Sequence, residues 1–202
     1  MSHYPLFETL SIIDGKFQNL SFHQERMDNA FNAYLNEKPG INLSDIVIPN
    51  EYQQGQFRCR IDYNAYQYEM QIYPYTPRKI QQFQCVYVEN FDYSFKFTDR
   101  KRLDSLKNLQ KTNQEILIIN NDKVSDCTIG NLLFLKNGRW YSPTDYLLKG
   151  TQLAYLLEQS VVELVSINTK DLLEYEAVMM INALNPFDPK RAIIINKQSI
   201  IL

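Results

Sequence analysis

The spacing of apolar positions changes several times along the chain, and each change predicts an element. Residues 7–13 form a short β-prone run, Asp14-Gly15 turns the chain, and Lys16-Phe17 resume it, so a two-stranded ribbon opens the sequence. From Ser21 the period becomes helical. Met27, Ala30, Phe31, Tyr34 and Leu35 recur at three-and-four spacing, and Ser21 with Gln24 has the form of a capping box, which together predict a helix over 21–37. The runs 56–63 and 66–73 flank Asn64-Ala65 and predict a second hairpin. Tyr73-Pro74-Tyr75-Thr76-Pro77 cannot continue a central strand, because proline donates no ladder hydrogen bond. The boundary between a small lobe, 1–77, and a larger one, 78–202, is placed there.

Beyond it the pattern predicts strands at 83–88 and 115–120 around an amphipathic helix, 100–111, that presents Leu103, Leu106 and Leu109. Asn121-Asp122 turns the chain, 132–135 and 139–141 form a hairpin around Asn137-Gly138, 151–162 is a leucine-rich helix, and 178–181 and 192–196 are strands. This order gives an α+β fold of two lobes, not a doubly wound sheet.

Composition narrows the chemistry. A net charge of -2 with both signs mixed gives no global field for nucleic acid or an anionic membrane. The basic residues Arg100, Lys101, Arg102, Lys107 and Lys111 are interrupted by Asp99 and Asp104 and have no aromatic platform, so they read as a solvated helix face. Cys59, Cys85 and Cys127 form no pair, and no apolar run approaches the roughly 20 residues of a spanning helix; a soluble protein of the reducing cytoplasm is expected. The two histidines lack the matched carboxylates of a metal site, and the six glycines form no phosphate-cradling loop of nucleotide enzymes.

Several positions carry candidate chemistry, each with a plainer alternative. Lys96 sits between Phe95 and Phe97; apolar neighbours favour the neutral amine that a pyridoxal-phosphate enzyme needs, and Asp126, thirty positions on, could keep the pyridine nitrogen protonated. Alternatively Phe91, Tyr93, Phe95 and Phe97 share one face of an extended segment and leave Lys96 solvated, with Asp126 a turn residue. Arg26 lies beside the apolar stripe of the first helix and wants an anion, either a neighbouring carboxylate or a phosphate. Gly150-Thr151 enters a helix with unpaired amides that can bind an anion or be ordinarily capped. Asn182 ends an apolar strand and serves either a loop carbonyl or a ligand. Arg58 and Arg60 share a strand face that could hold a substrate carboxylate, or Arg60 could simply pair with Asp62.

Taken together these segments resemble the class IV aminotransferases, the fold-type IV pyridoxal-phosphate enzymes that include D-amino acid and branched-chain aminotransferases and aminodeoxychorismate lyase. Phe7-Glu8-Thr9-Leu10 with Asp14-Gly15 looks like the family's opening ribbon, and His23-x-x-Arg26 matches its helix motif, whose arginine binds the cofactor phosphate. Lys96-Phe97-Thr98-Asp99 resembles the family's Lys-x-x-Asn, which implies that Lys96 is the Schiff-base lysine. Lys101 offers the same spacing but stands only twenty-five positions from Asp126, against a family distance nearer thirty. The resemblance further implies that Asp126 takes the place of the family's ring-nitrogen glutamate, that Gly150, Thr151 and Asn182 contact the phosphate, that the substrate is a small amine, and that the protein is a homodimer. Three departures stand out: a shorter chain, an acid one methylene shorter, and Asp for Asn in the lysine motif. Short members of the family suggest aminodeoxychorismate lyase first, an aminotransferase second, and a cofactor-binding homologue without catalysis as the alternative from another class.

Overall fold

The computed structural model describes residues 3–107 and 113–202. The chain divides into two compact units, Met1–Pro77 with Phe95–Asp99, and Arg78–Ser94 with Arg100–Leu202.

In the first unit, β1 (Leu6–Ile13), β2 (Lys16–Phe17), β3 (Gln56–Tyr63) and β4 (Tyr68–Pro74) form an antiparallel sheet in the order β2-β1-β3-β4. Asp14 and Gly15 both have positive φ, 45° and 73°, the backbone that matches a tight turn to strand twist. Pro74 closes β4, an edge strand, where no ladder bond is lost. Leu6, Leu10 and Ile12 of β1 and Cys59, Ile61 and Tyr63 of β3 pack against Met27 and Ala30 of α1 (Leu20–Ala30) and against Phe31. The capping box does not form. The helix starts instead from Asn19 in the left-handed region, and the Gln24 side chain is drawn to Asp28, to the Ile41 carbonyl and to the Leu43 amide, tying the following loop to the helix. The expected 21–37 helix is regular only to Ala30 and closes in a wider turn, Phe31–Leu35.

Residues 95–99 also belong to this unit, so the division at 77 is not the whole boundary. The Phe7 amide donates to the Lys96 carbonyl at 3.0 Å, the Thr98 amide to the Pro5 carbonyl at 2.8 Å, and Leu6 bridges to Phe97. The Phe95 and Phe97 rings lie 5.4 and 5.2 Å from Tyr34. The aromatic alternation over 91–97 is therefore no single strand face: Phe91 and Tyr93 are buried in the other unit.

The second unit holds β5 (Gln82–Val88), α2 (Lys101–Asp104), β6 (Gln114–Asn120), β7 (Lys123–Val124), β8 (Asn131–Lys136), β9 (Arg139–Pro143), α3 (Thr151–Glu158), β10 (Val162–Val165), β11 (Ala177–Ile181), β12 (Ile193–Ile194) and β13 (Ile200–Ile201). They form two sheets, β13-β5-β6-β7 and β10-β9-β8-β11-β12. Strand alternation sorts the side chains. Leu132 and Phe134 of β8 with Val178 and Met180 of β11 meet Phe83, Leu117 and Ile119, whereas Leu133, Met179 and Ile181 turn to Leu153 and Leu156 of α3. Three expectations change here. The 100–111 helix is one turn, Lys101–Asp104, and Leu109 and Lys111 lie outside the described residues. The 151–162 helix ends at Glu158, because Ser160 takes a left-handed φ of 55° and Val162 begins a strand parallel to β9. Of 192–196 only Ile193–Ile194 pairs as strand.

One glycine fixes the approach of the 127–130 turn to β11. A Cβ on Gly130 would lie 2.2 Å from the Ile181 carbonyl oxygen, a backbone atom that cannot step aside. Gly130→Ala is expected to destabilise the protein by about 3 kcal/mol, read as a melting temperature lower by roughly 10 °C.

Candidate active site

The first unit holds a buried ionic cluster of Glu8, His23 and Arg26. Glu8 falls in the apolar row of β1, fully buried between Leu6 and Leu10. Arg26 of α1 grips it with two parallel bonds, Nε to Oε1 at 2.8 Å and Nη2 to Oε2 at 2.6 Å, and His23 Nδ1 meets Oε2 at 2.7 Å. Burial alone would raise the Glu8 pKa, but the Arg26 charge and the His23 hydrogen bond outweigh it and hold the carboxyl well below the usual carboxylate range. His23 moves the other way. Burial lowers its pKa despite Glu8, and Arg26 and Lys96 repel a further proton, so the ring is neutral and Nδ1–H donates. Lys96 Nζ lies 4.8 Å from the centroid of the Phe7 ring. Thus Arg26 has the carboxylate partner that its place beside the apolar stripe anticipated. Two of its five N–H groups face Glu8.

Removing this carboxylate strands a partly buried guanidinium. Glu8→Ala is expected to cost about 3–5 kcal/mol, measured by denaturant unfolding. Because the folded pKa is depressed, the Glu8 contribution is present above the ordinary carboxylate range and is lost as pH falls below it.

The second unit contributes a different carboxylate. Asp126, buried next to β7, accepts from the Leu147 and Leu148 amides at Oδ2 (2.9 and 3.1 Å) and from Asn131 Nδ2 at Oδ1 (2.8 Å). Burial raises its pKa to about 7, against the lowering effect of those three bonds. Its partners among the described residues are all neutral. Asn131 also donates to the Leu148 carbonyl and accepts from the Gly150 amide at 3.0 Å, so one side chain joins the acid to the start of α3. Gly150 is required there, since a Cβ would meet Asn131 Oδ1 at 2.2 Å. Thr151, buried, is the first residue of α3.

The other predicted residues separate. Asn182 closes the turn that follows β11: its Oδ1 accepts from the Leu184 and Asn185 amides and from Asn185 Nδ2, and its Nδ2 donates to the Ile129 carbonyl. Arg60 is clasped by Asp62 at 2.6 Å through both Nε and Nη2, the plainer of its two readings, and lies over the Phe7 ring at 4.0 Å. Among the described residues, Arg58 Nε has no hydrogen-bond partner. Lys101 starts α2 in the second unit, exposed, whereas Lys96 sits in the first with Glu8, His23 and Arg26.

The sequence model of the family described as amino-transferase class IV matches residues 5–193. The chain belongs to the class IV aminotransferases. Within reach of this class IV chain is a Haemophilus influenzae protein of undescribed function, 37% identical over 185 residues, 90% of this chain and 98% of that protein. A solved structure from Haemophilus somnus, provisionally named a 4-amino-4-deoxychorismate lyase, is 40% identical, covers 93% of this chain and 100% of its own, and has a TM-score of 0.85. A hypothetical Mycobacterium tuberculosis aminotransferase in its pyridoxal-phosphate-bound form shares the fold with a TM-score of 0.76 at 13% identity, over 98% of this chain and 81% of that one. The resemblance read from the sequence holds, and with it the α+β fold and the expectation of a pyridoxal-phosphate-dependent enzyme.

Sequence reasoning missed Glu8 and Asn131 as organising residues of this class IV chain. Glu8 was detectable: a carboxylate in the row Leu6, Leu10, Ile12 points into the core and must find a cation there. Asn131 carried no signal beyond its place at the end of the Asp126 run, because its partners are main-chain groups near residue 150.

Proposed function

We propose that the protein is a pyridoxal-phosphate enzyme that cleaves 4-amino-4-deoxychorismate to pyruvate and 4-aminobenzoate, with Lys96 as its catalytic lysine. The observation that carries the cofactor is Asp126, a buried carboxylate that has three hydrogen bonds and no cationic partner among the described residues, its pKa raised by burial to about 7. A pyridinium nitrogen supplies the positive charge that this environment lacks. The rest of the donor set suits the same group: a primary amine at Lys96, a guanidinium at Arg26, and the Gly150-Thr151 start of α3, with the positive end of its dipole, for a phosphate. Asn182 acts by holding its turn, with one Nδ2 proton left for the phosphate.

When bound, the cofactor supplies an electron-accepting ring that stores the charge left by a departing proton. Lys96 Nζ takes that proton as base and returns one as acid. Asp126 keeps the ring nitrogen protonated, and Asn131 with the Leu147 and Leu148 amides fixes the orientation of the carboxylate. Glu8 and His23 hold Arg26 in one rotamer, so the guanidinium is set before a phosphate arrives. The identity to the Haemophilus somnus protein supports the lyase reading over the second, an aminotransferase exchanging an amino group between a small amino acid and a 2-oxo acid, which the family supports equally.

The holoenzyme given aminodeoxychorismate is expected to release pyruvate and 4-aminobenzoate in equal amounts and to show little exchange on an amino-acid panel. Exchange without 4-aminobenzoate rejects the lyase in favour of the transferase. A homodimer in the cytoplasm, making a folate precursor, belongs to the same reading, and sedimentation of the holoenzyme tests its stoichiometry. Among the described residues no helix is long and apolar enough to cross a membrane.

A further inference from the structure

Phe95 and Phe97, the sequence neighbours of Lys96, set their rings against Tyr34, whereas the Lys96 amine meets the ring of Phe7, with Nζ 4.8 Å from its centroid. An aromatic face attracts an ammonium and so favours the protonated, unreactive amine. This ring, however, already carries a cation. On the sheet face turned away from α1, Phe7 stands opposite Asp62 and diagonal to Arg60, and the Arg60 guanidinium lies over the ring with Cζ 4.0 Å from the same centroid. Lying 4.0 and 4.8 Å from one point, the two cations are separated by at most about 9 Å, close enough for each to oppose the other's charge.

Asp62 holds Arg60 in that place. Each of its carboxylate oxygens accepts from the guanidinium at 2.6 Å, and Oδ1 also accepts from the hydroxyl of Thr98, two residues after Lys96, at 3.4 Å. The pair is mostly buried, its side chains 21% and 15% exposed, so dissolved salt screens it little. The other charges of this unit around the amine cancel or stand in water. Glu8 of β1 and Arg26 of α1 neutralise each other, and His23 of α1 is uncharged. Asp99 on the lysine's own segment and Glu69 of β4, the ladder partner of Asp62, are exposed.

We propose that Arg60 is a positioning residue for Lys96: clamped by Asp62, it occupies the Phe7 ring and denies that seat to an ammonium, which keeps the amine available to the cofactor aldehyde. This role rests on Lys96 being the catalytic amine. It also gives the two members of the pair opposite signs. Removing the guanidinium takes away a charge that repels the ammonium and bares one that attracts it; removing the carboxylate does the reverse.

The test is made on apo-protein. Trace acetic anhydride, reacted across neutral to alkaline pH and quantified on the Lys96 peptide by mass spectrometry, reads the midpoint at which the amine loses its proton. Arg60→Met, whose thioether can still cover the ring, is expected to raise that midpoint by about 0.5–1 pH unit, and Asp62→Asn to lower it by about 0.5. Arg60→Lys keeps the charge and is expected to stay within about 0.3 of the wild type. At neutral pH the smaller neutral fraction in Arg60→Met is expected to slow cofactor uptake, followed by absorbance, about 3- to 10-fold. Midpoints that move in the same direction in Arg60→Met and Asp62→Asn, as looser packing around Lys96 would move them, or that do not move, overturn the role of Arg60. Should Arg60→Met fail to fold, Asp62→Asn decides alone: a fall supports the role, and a rise or no change overturns it. Borohydride label on a different peptide would remove Lys96 from catalysis and leave these midpoints as they are, so the two readings fail separately.

Discussion

Protein loaded with pyridoxal phosphate is expected to turn yellow, and borohydride to fix the label on the peptide containing Lys96. Lys96→Met is expected to carry no fixed label and to lose at least about 10³-fold in kcat. Methionine keeps an unbranched stem and removes the amine beside the Phe7 ring, so the loss reports the amine more than the packing. Lys101→Met is the control. Lys101 opens α2 in the second unit, outside the cluster of Glu8, His23 and Arg26, and its removal is expected to leave label and rate within a factor of two to three. Label on Lys101 in the wild type would move the imine there and overturn the assignment of Lys96.

Asp126→Asn is expected to lower kcat by about 10²–10³-fold, the scale of losing one preorganised charge in a buried site. The neutral amide keeps the volume and can still accept from Leu147 and Leu148, but it cannot hold a proton on a ring nitrogen. A second signature is independent of catalysis. With its pKa raised from 3.8 to about 7, the folded apo-protein keeps a proton that the unfolded chain has released. Stability therefore falls as pH rises from about 4 to 7, by on the order of 4 kcal/mol. Denaturant unfolding across that range is expected to show the slope in wild-type apo-protein, to lose it in Asp126→Asn, and to flatten on cofactor binding, when a cation meets the carboxylate. An unchanged slope in the variant would show that another group titrates.

The elements written in local chemistry were legible. Both hairpins with turns at Asp14-Gly15 and Asn137-Gly138 stand where positive φ is cheap, and β6, apolar throughout 116–119, is a buried strand. What escaped depended on partners far along the chain. Gln24 had the spacing of a capping residue, yet the Ile41 carbonyl and Leu43 amide compete for its side chain. β10 and β13 are four- and two-residue strands that exist only through parallel pairing with β9 and β5, which no local period announces. The 91–97 alternation misled because it spans a change of unit and not a sheet face. At the site the sequence offered the charged residues themselves. It did not offer their partners: Glu8 for Arg26, and for Asp126 the amides of a loop some twenty residues downstream.

The return of 95–99 to the first unit has a consequence for dissecting the protein. The polypeptide passes from one body to the other at 77, at 94 and again at 99, so no single cut yields two self-sufficient pieces. A gene split after codon 77 would give an amino-terminal fragment missing the segment that bonds Phe7 and a carboxy-terminal one exposing Phe95 and Phe97 without Tyr34. The carboxy-terminal fragment would hold part of its sibling's core, and the Lys96 amine proposed for catalysis would travel with the half to which it does not structurally belong.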